Sequence, residues 1–123
     1  MLKKPLTDPP ACASNILAML DTLDVLGGKW KLLIIHYLMI RPNELNTFNK
    51  IKNDIGGISA KMLSQELKAL ETNRIIIRKE LDTRPITVQY SLSGYGNSVN
   101  EVIRVLVNWG QNHRQKLFEL PDN

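Results

Sequence analysis

The sequence predicts a mainly α fold with a small β-hairpin. Apolar residues recur with a helical period in four segments up to residue 73 and in one more after residue 98. Between them, from Ile75 to Leu92, the period drops to two, which is the signature of strands. With 123 residues, 43% hydrophobic and 23% charged, the chain has the size and composition of one globular domain and does not read as disordered. The expected boundaries are a flexible arm over residues 1–11 and a folded domain over 12–119.

Three prolines in the first eleven residues (Pro5, Pro9, Pro10) favour an extended arm over a helix. Ser14 is an acceptable N-cap for a first helix whose stripe is Ile16, Leu17, Leu20 and Leu23, closed by Gly27-Gly28. A second helix over Lys29 to Met39 places Trp30, Leu33, Ile34, Tyr37 and Leu38 on its inner face. Pro42 and Asn43 mark the loop 41–46. Thr47 then caps a short helix with Phe48, Ile51 and Ile55 inward.

Gly56-Gly57 turns the chain into the stretch Ile58 to Asn73, with Ser59 as N-cap. Leu63, Leu67 and Leu70 form its apolar stripe. Lys61, Ser64, Gln65, Lys68 and Thr72 form a second stripe that is entirely polar. Read alone, that stripe is a solvated helix face; cations with amides and hydroxyls also suit a DNA groove, where phosphates and base edges are the partners.

Ile75 to Ile77, and Ile86, Val88, Tyr90 and Leu92 alternating with Thr87, Gln89 and Ser91, make a hairpin with its tip over 79–85. Lys79 and Arg84 flank that tip and Pro85 stiffens it; the tip either enters a minor groove or clamps a phosphate, or is a solvated turn. The last helix carries Val99, Val102, Ile103, Leu106 and Trp109, and Val105 with Val107 broaden the apolar surface beyond what a small domain covers, as at a subunit interface. Helix, helix, helix, helix, strand, strand, helix, with a glycine turn between the third and fourth, is a winged helix-turn-helix layout.

Little supports an enzyme. His36 lies in an apolar helix, His113 in a polar terminus, and neither has an identifiable partner for general-base work. A single cysteine and two histidines exclude a Cys/His metal cluster, and no cofactor is expected. Gly27-Gly28-Lys29 lacks the upstream glycine and following hydroxyl residue of a phosphate loop. No run of about 18 apolar residues spans a membrane, and no apolar segment follows Lys3-Lys4 as a secretory signal requires. The chain reads as cytoplasmic, and a net charge of +4 is compatible with nucleic acid. Cys12 stands where the arm meets the first helix. The dipole there favours an anionic thiolate and so a reactive role; the alternative is a small apolar filler.

Taken together, Cys12, Leu26-Gly27-Gly28-Lys29-Trp30, Phe48 with Asn49, the run from Gly57 to Glu71, Arg78, Pro85, the run from Val88 to Ser93, Gly96 and Trp109 resemble the HxlR-type winged helix-turn-helix transcriptional regulators of bacteria, which are MarR-like. The resemblance spans about residues 12–110. It implies a homodimer held by the first and last helices (Leu17, Leu20, Val102, Val105, Leu106 and Trp109 here), on a palindromic operator of double-stranded DNA. It implies that Ile58 to Asn73 is the recognition helix and Leu81 to Ile86 the wing. It also implies a small electrophile, oxidant or aromatic ligand as effector, with Cys12 as the candidate sensing residue.

Where the family commonly has Arg before the phenylalanine and Glu two residues after it, this chain has Thr47 and Lys50. Lys50 thereby becomes an additional candidate phosphate contact. The loop 40–46 is slightly longer than in the pattern, and Arg74 replaces a usual glycine, so either Arg74 or Asn73 must take the left-handed conformation. The expected DNA-contacting set is Lys50, Ser59, Lys61, Ser64, Gln65, Lys68 and Arg84, with Gln65 pairing with adenine. The rival reading is a winged-helix protein-interaction module without DNA contact.

Overall fold

A computed structural model describes residues 10–119 of the chain. Five α-helices and one hairpin follow in the order α1 (Pro10–Leu26), α2 (Lys31–Met39), α3 (Phe48–Ile55), α4 (Ala60–Thr72), β1 (Ile76–Leu81), β2 (Thr87–Leu92) and α5 (Val99–Phe118), with a single 3₁₀ turn at Gly96–Ser98. The first helix starts at Pro10 rather than after Ser14. A proline is tolerated in a helix's first turn because its missing N–H would have no intrahelical partner there. Pro10 and Ala11 are thus helical, and the rest of the expected arm, residues 1–9, lies outside the described residues.

The core is built by α2, which is buried at Ile34, Ile35, Tyr37 and Leu38, against Ile51 of α3, Leu63, Leu67 and Leu70 of α4, and Val99 and Ile103 of α5. Leu33, expected on the inner face of α2, is instead exposed, and Ile35 takes the inner position. The helix is apolar nearly all round, so periodicity alone does not single out its inner side. Leu23 of α1 is likewise exposed where a stripe toward the core was expected. Each leucine of the α4 stripe contributes about 1.5–3 kcal/mol by leaving water.

Helix starts follow the capping rules. The Thr47 hydroxyl accepts from the Lys50 N–H at 3.3 Å and that of Ser59 accepts from Met62 N–H at 3.0 Å. Gly56 and Gly57, at φ 71° and 73°, make the turn between α3 and α4 that a side-chain-bearing residue would strain. The strands pair antiparallel from Ile76 opposite Leu92 to Leu81 opposite Thr87. Lys79 is therefore inside the ladder, opposite Gln89, and the tip is shorter than expected, residues 82–86. At the other end of the hairpin, the Ser93 hydroxyl donates toward the carbonyls of Arg74 (2.6 Å) and Ile75 (3.0 Å) and accepts from Gly96 N–H (2.8 Å). A Cβ on Gly96 would meet the Ile75 carbonyl oxygen at 2.1 Å, so only glycine fits.

Asn73 ends α4 at φ −84°, and Arg74 takes the left-handed conformation at φ 64°. A non-glycine residue there carries backbone strain, while its carbonyl still accepts from Ser93. Arg74→Gly keeps that hydrogen bond and is expected to raise the unfolding free energy by about 0.5–1 kcal/mol. The midpoint of urea unfolding, with an unchanged slope, measures it.

Candidate nucleic-acid interface

Burial of Leu63, Leu67 and Leu70 fixes α4 in rotation, and the opposite face carries Lys61, Ser64, Gln65 and Lys68, all exposed. They sit at i, i+3, i+4 and i+7 on one helix, so the chain brings these four together on one side. An ion pair between Lys31 of α2 and Glu66 of α4, 2.7 Å long and with both side chains more than four-fifths buried, braces the flank of α4. Ser59 is exposed at the N-terminus of α4, its hydroxyl engaged as the cap. Thr72 turns its hydroxyl back to the Lys68 carbonyl at 2.9 Å and adds little to the outward face.

Arg84 is exposed at the hairpin tip, before a cis bond to Pro85. The tip is ordered by Thr83, whose hydroxyl donates to the Pro85 carbonyl (2.8 Å) and accepts from Thr87 N–H (2.9 Å). Cys12 is exposed in the first turn of α1 and is a free thiol.

Lys50 does not stand apart as the sequence suggests. Its ammonium donates to the Tyr37 hydroxyl (2.7 Å) and to Asn46 Oδ1 (3.2 Å), and pairs with Glu44 (2.9 Å) and Asp54 (3.4 Å). The Tyr37 hydroxyl in turn donates to Asp54 Oδ2 at 2.6 Å, and the Arg41 guanidinium lies 4.0 Å from the centre of the Tyr37 ring. Sequence reading missed this cluster. The pairs Asn46/Lys50 and Lys50/Asp54 are visible as i, i+4 spacings, but Tyr37 comes from another helix and looked like ordinary core. It also missed Trp109 stacked on His113, centroids 4.9 Å apart. Among the described residues no group of three or more His, Cys, Asp or Glu can hold a metal, and no helix is long and apolar enough to cross a membrane.

The family profile described as HxlR-like helix-turn-helix matches residues 25–118. The chain belongs to the HxlR-like helix-turn-helix family. This regulator is a DNA-binding transcriptional regulator and not an enzyme, as its relatives are. The HTH-type transcriptional regulator YtcD of Bacillus subtilis is 35% identical over 97 residues, 79% of this chain and 75% of YtcD. A redox regulator, HypR, in its reduced form superposes with a TM-score of 0.73 at 29% identity, over 81% of this chain and 96% of HypR. The reduced form of the transcriptional regulator YodB of B. subtilis gives 0.68 at 33% identity, over 86% of this chain and 96% of YodB, and YodB is also known diamide-treated and quinone-bound.

The cluster around Tyr37 ties the stability of this chain to pH at both ends. The hydrogen bond from Tyr37, then that from Lys50, hold the Asp54 carboxyl below its ordinary value of 3.8 against partial desolvation. Its contribution is therefore full above 3.8 and is lost as pH falls from there through the folded-state value. The hydrogen bond to Tyr37, then that to Glu44, push Lys50 above its ordinary 10.5, so its contribution is lost as pH rises beyond 10.5. Urea midpoints between pH 3 and 6 are expected to fall toward acid in the wild type and to fall less steeply in Asp54→Asn.

Proposed function

We propose that this HxlR-like regulator binds a two-fold symmetric operator as a homodimer in the cytoplasm, one α4 helix in each of two successive major grooves. The exposed polar face of α4, opposite a fully buried leucine stripe, is the observation that carries this reading. Gln65 reads a base, since its amide matches the N6/N7 edge of adenine, and Ser64 lies beside it. Lys61 and Lys68 reach the groove walls, Ser59 the phosphate at the N-terminus of α4, and Arg84 carries the wing to a minor groove or a phosphate.

Dimerisation through α1 and α5 is supported by apolar surface that the single chain leaves uncovered. Val102, Val105, Leu106 and Trp109 are exposed on α5, Val105 and Trp109 at 64%, and Leu17 and Leu20 are half-buried on α1. Leu23 and Leu26 of α1 line one cleft with Val102 and Leu106 of α5, so the two helices offer a continuous patch. Cys12, on the same α1, is the sensing thiol. Two Cys12 thiols give up two electrons and two protons to an oxidant and form one intersubunit disulfide. Alternatively, one thiol adds to a quinone, its sulfur bonding to ring carbon and its proton passing to the quinone oxygen. Support comes from the redox regulator HypR and from YodB in its diamide-treated and quinone-bound forms. Either reaction shifts α1 and with it the spacing of the two α4 helices, which has to match half-sites about 34 Å apart.

Selection of bound duplexes from a random pool is expected to return an inverted repeat. On that duplex Gln65→Ala costs about 1–3 kcal/mol and relaxes preference at a single base pair of each half-site. Lys68→Met weakens all duplexes alike and flattens the log–log salt dependence by about 0.9 for each subunit. No duplex binding even at low salt would overturn the reading in favour of a protein-interaction module.

For the dimer and its switch, sedimentation is expected to show a dimer that Val105→Asp converts to monomer. Diamide is expected to produce a dimer band on a non-reducing gel and to change operator affinity, both absent in Cys12→Ser. An unchanged gel and unchanged affinity would return Cys12 to structural filler.

A further inference from the structure

Beyond its base, where Ser93 is tied to the Arg74 and Ile75 carbonyls, the wing is hydrogen-bonded to the helix-turn-helix through β2. Tyr90 N–H of β2 donates to the carbonyl of Asn46, 2.8 Å away, in the loop between α2 and α3. Asn46 is the one buried polar residue of the described core. Its side chain is held on both sides, by its amide donating to the Arg41 carbonyl at 3.0 Å and by its Oδ1 accepting from Lys50 at 3.2 Å. Lys50 is in turn oriented by the Tyr37 hydroxyl, which Asp54 fixes from the other side. A continuous path thus runs from Asp54 on α3 through Tyr37 on α2, then Lys50 and Asn46, to the backbone of β2.

The charges in the cluster close on themselves. Lys50 and Arg41 face Glu44 and Asp54, two cations against two anions, with contacts between 2.9 and 4.0 Å. An ammonium with four partners of its own makes a poor phosphate ligand, because any phosphate contact must replace interactions already made. Tyr37 is buried and its hydroxyl lies between Asp54 and Lys50, so it acts on Lys50 from inside the fold.

We propose that Tyr37, acting through Lys50 and Asn46, is a positioning residue for DNA binding that holds the wing at a fixed angle to α4, and that Lys50 is part of this brace instead of a phosphate contact. The proposal rests on the DNA-binding reading above and adds to it the element that sets the geometry of the two contact surfaces. Ser93 holds the base of the hairpin, and beyond the base the aim of β2 depends on whatever fixes the Asn46 carbonyl. Loosening the loop 41–47 lets Arg84 and α4 bind out of register even though both stay intact. Preorganisation of this kind appears in affinity while the number of neutralised phosphates stays the same.

Tyr37→Phe is the clean test, since it removes one oxygen, changes no charge and leaves the core ring in place. On the selected operator, binding of Tyr37→Phe is expected to weaken roughly three- to tenfold. The slope of log affinity against log salt is expected to match the wild type. In native-state hydrogen exchange the Tyr90 amide is expected to exchange about tenfold faster in the variant, with the Leu70 amide of α4 unchanged. Lys50→Met in the Tyr37→Phe background is expected to weaken binding less than it does in the wild type, because both act on one path.

Unchanged affinity in Tyr37→Phe overturns the proposal, as does an acceleration of exchange that is uniform over the core, which would make the cluster a matter of stability alone. A salt slope reduced by about one in Lys50→Met, with full additivity to Tyr37→Phe, also overturns it, by making Lys50 a phosphate contact. If Lys50→Met does not fold, Tyr37→Phe alone decides through affinity and the Tyr90 amide. Failure of the wild-type chain to bind any duplex, by contrast, strikes the DNA-binding reading and is seen before any variant is made.

Discussion

The rotation of α4 about its own axis is the constraint from which the rest of the interface follows. Successive residues on a helix are about 100° apart, so a slip of one position would carry the polar stripe a quarter-turn away from solvent. Leu63, Leu67 and Leu70 prevent this because all three are sealed in the core against α2 and β1. The Lys31–Glu66 pair adds a directional contact on the flank, where apolar packing by itself tolerates small rotations. Its two charges are largely out of water, so removing one alone would leave the other uncompensated, and the pair favours one orientation more than it adds net stability. Lys61, Ser64, Gln65 and Lys68 owe their common direction to residues buried on the other side of the helix.

The wing is anchored by the same logic at two places. A two-stranded hairpin is marginal on its own in water. Here its base is tied by Ser93 to the Arg74 and Ile75 carbonyls, with Gly96 allowing the chain to pass within contact of Ile75. Its second strand is tied to the Asn46 carbonyl through Tyr90. The tip, by contrast, is tied through Thr83 to Pro85 and Thr87. The hairpin is thus tied to the rest of the fold at its base and second strand, while the tip that carries Arg84, the proposed backbone contact, is tied within itself.

Much of this was legible in the residues, and the failures share a cause. The caps Thr47 and Ser59, the leucine stripe and the alternation from Thr87 to Leu92 are local signals: a hydroxyl three residues before an N–H, or a period of 3.6 or 2. Each was read correctly. So was the left-handed turn after α4, though not whether Asn73 or Arg74 would carry it. The misreadings lie where a residue's role depends on a distant segment. Leu33 and Ile35 are chemically alike on an all-apolar helix, and only the position of the remaining core decides which is covered. Lys50 looked like a free cation because Tyr37, thirteen residues away on another helix, gives no sign that its hydroxyl turns toward Asp54. Lys79 looked like part of a tip because strand length depends on the register of both partners.

The proposed dimer and the proposed thiol chemistry are linked by one element. Cys12 and Leu23 lie on the same unbroken α1, separated by about 16 Å of helix at 1.5 Å per residue. A helix of that length behaves as a rod, so a displacement at its first turn is delivered to its last as tilt or translation with little loss. At that far end Leu23 and Leu26 share a cleft with Val102 and Leu106 of α5, which packs through Val99 and Ile103 on the core that also fixes α4. Packed contacts of this kind shift between discrete arrangements more readily than they deform. A covalent bond at Cys12 would thus act on a helix that adjoins both the free apolar surface and, through α5, the frame that holds α4. In the proposed two-fold dimer, a small tilt of α1 would be applied twice, in opposite senses about the axis, and the separation of the two α4 helices would change by the sum.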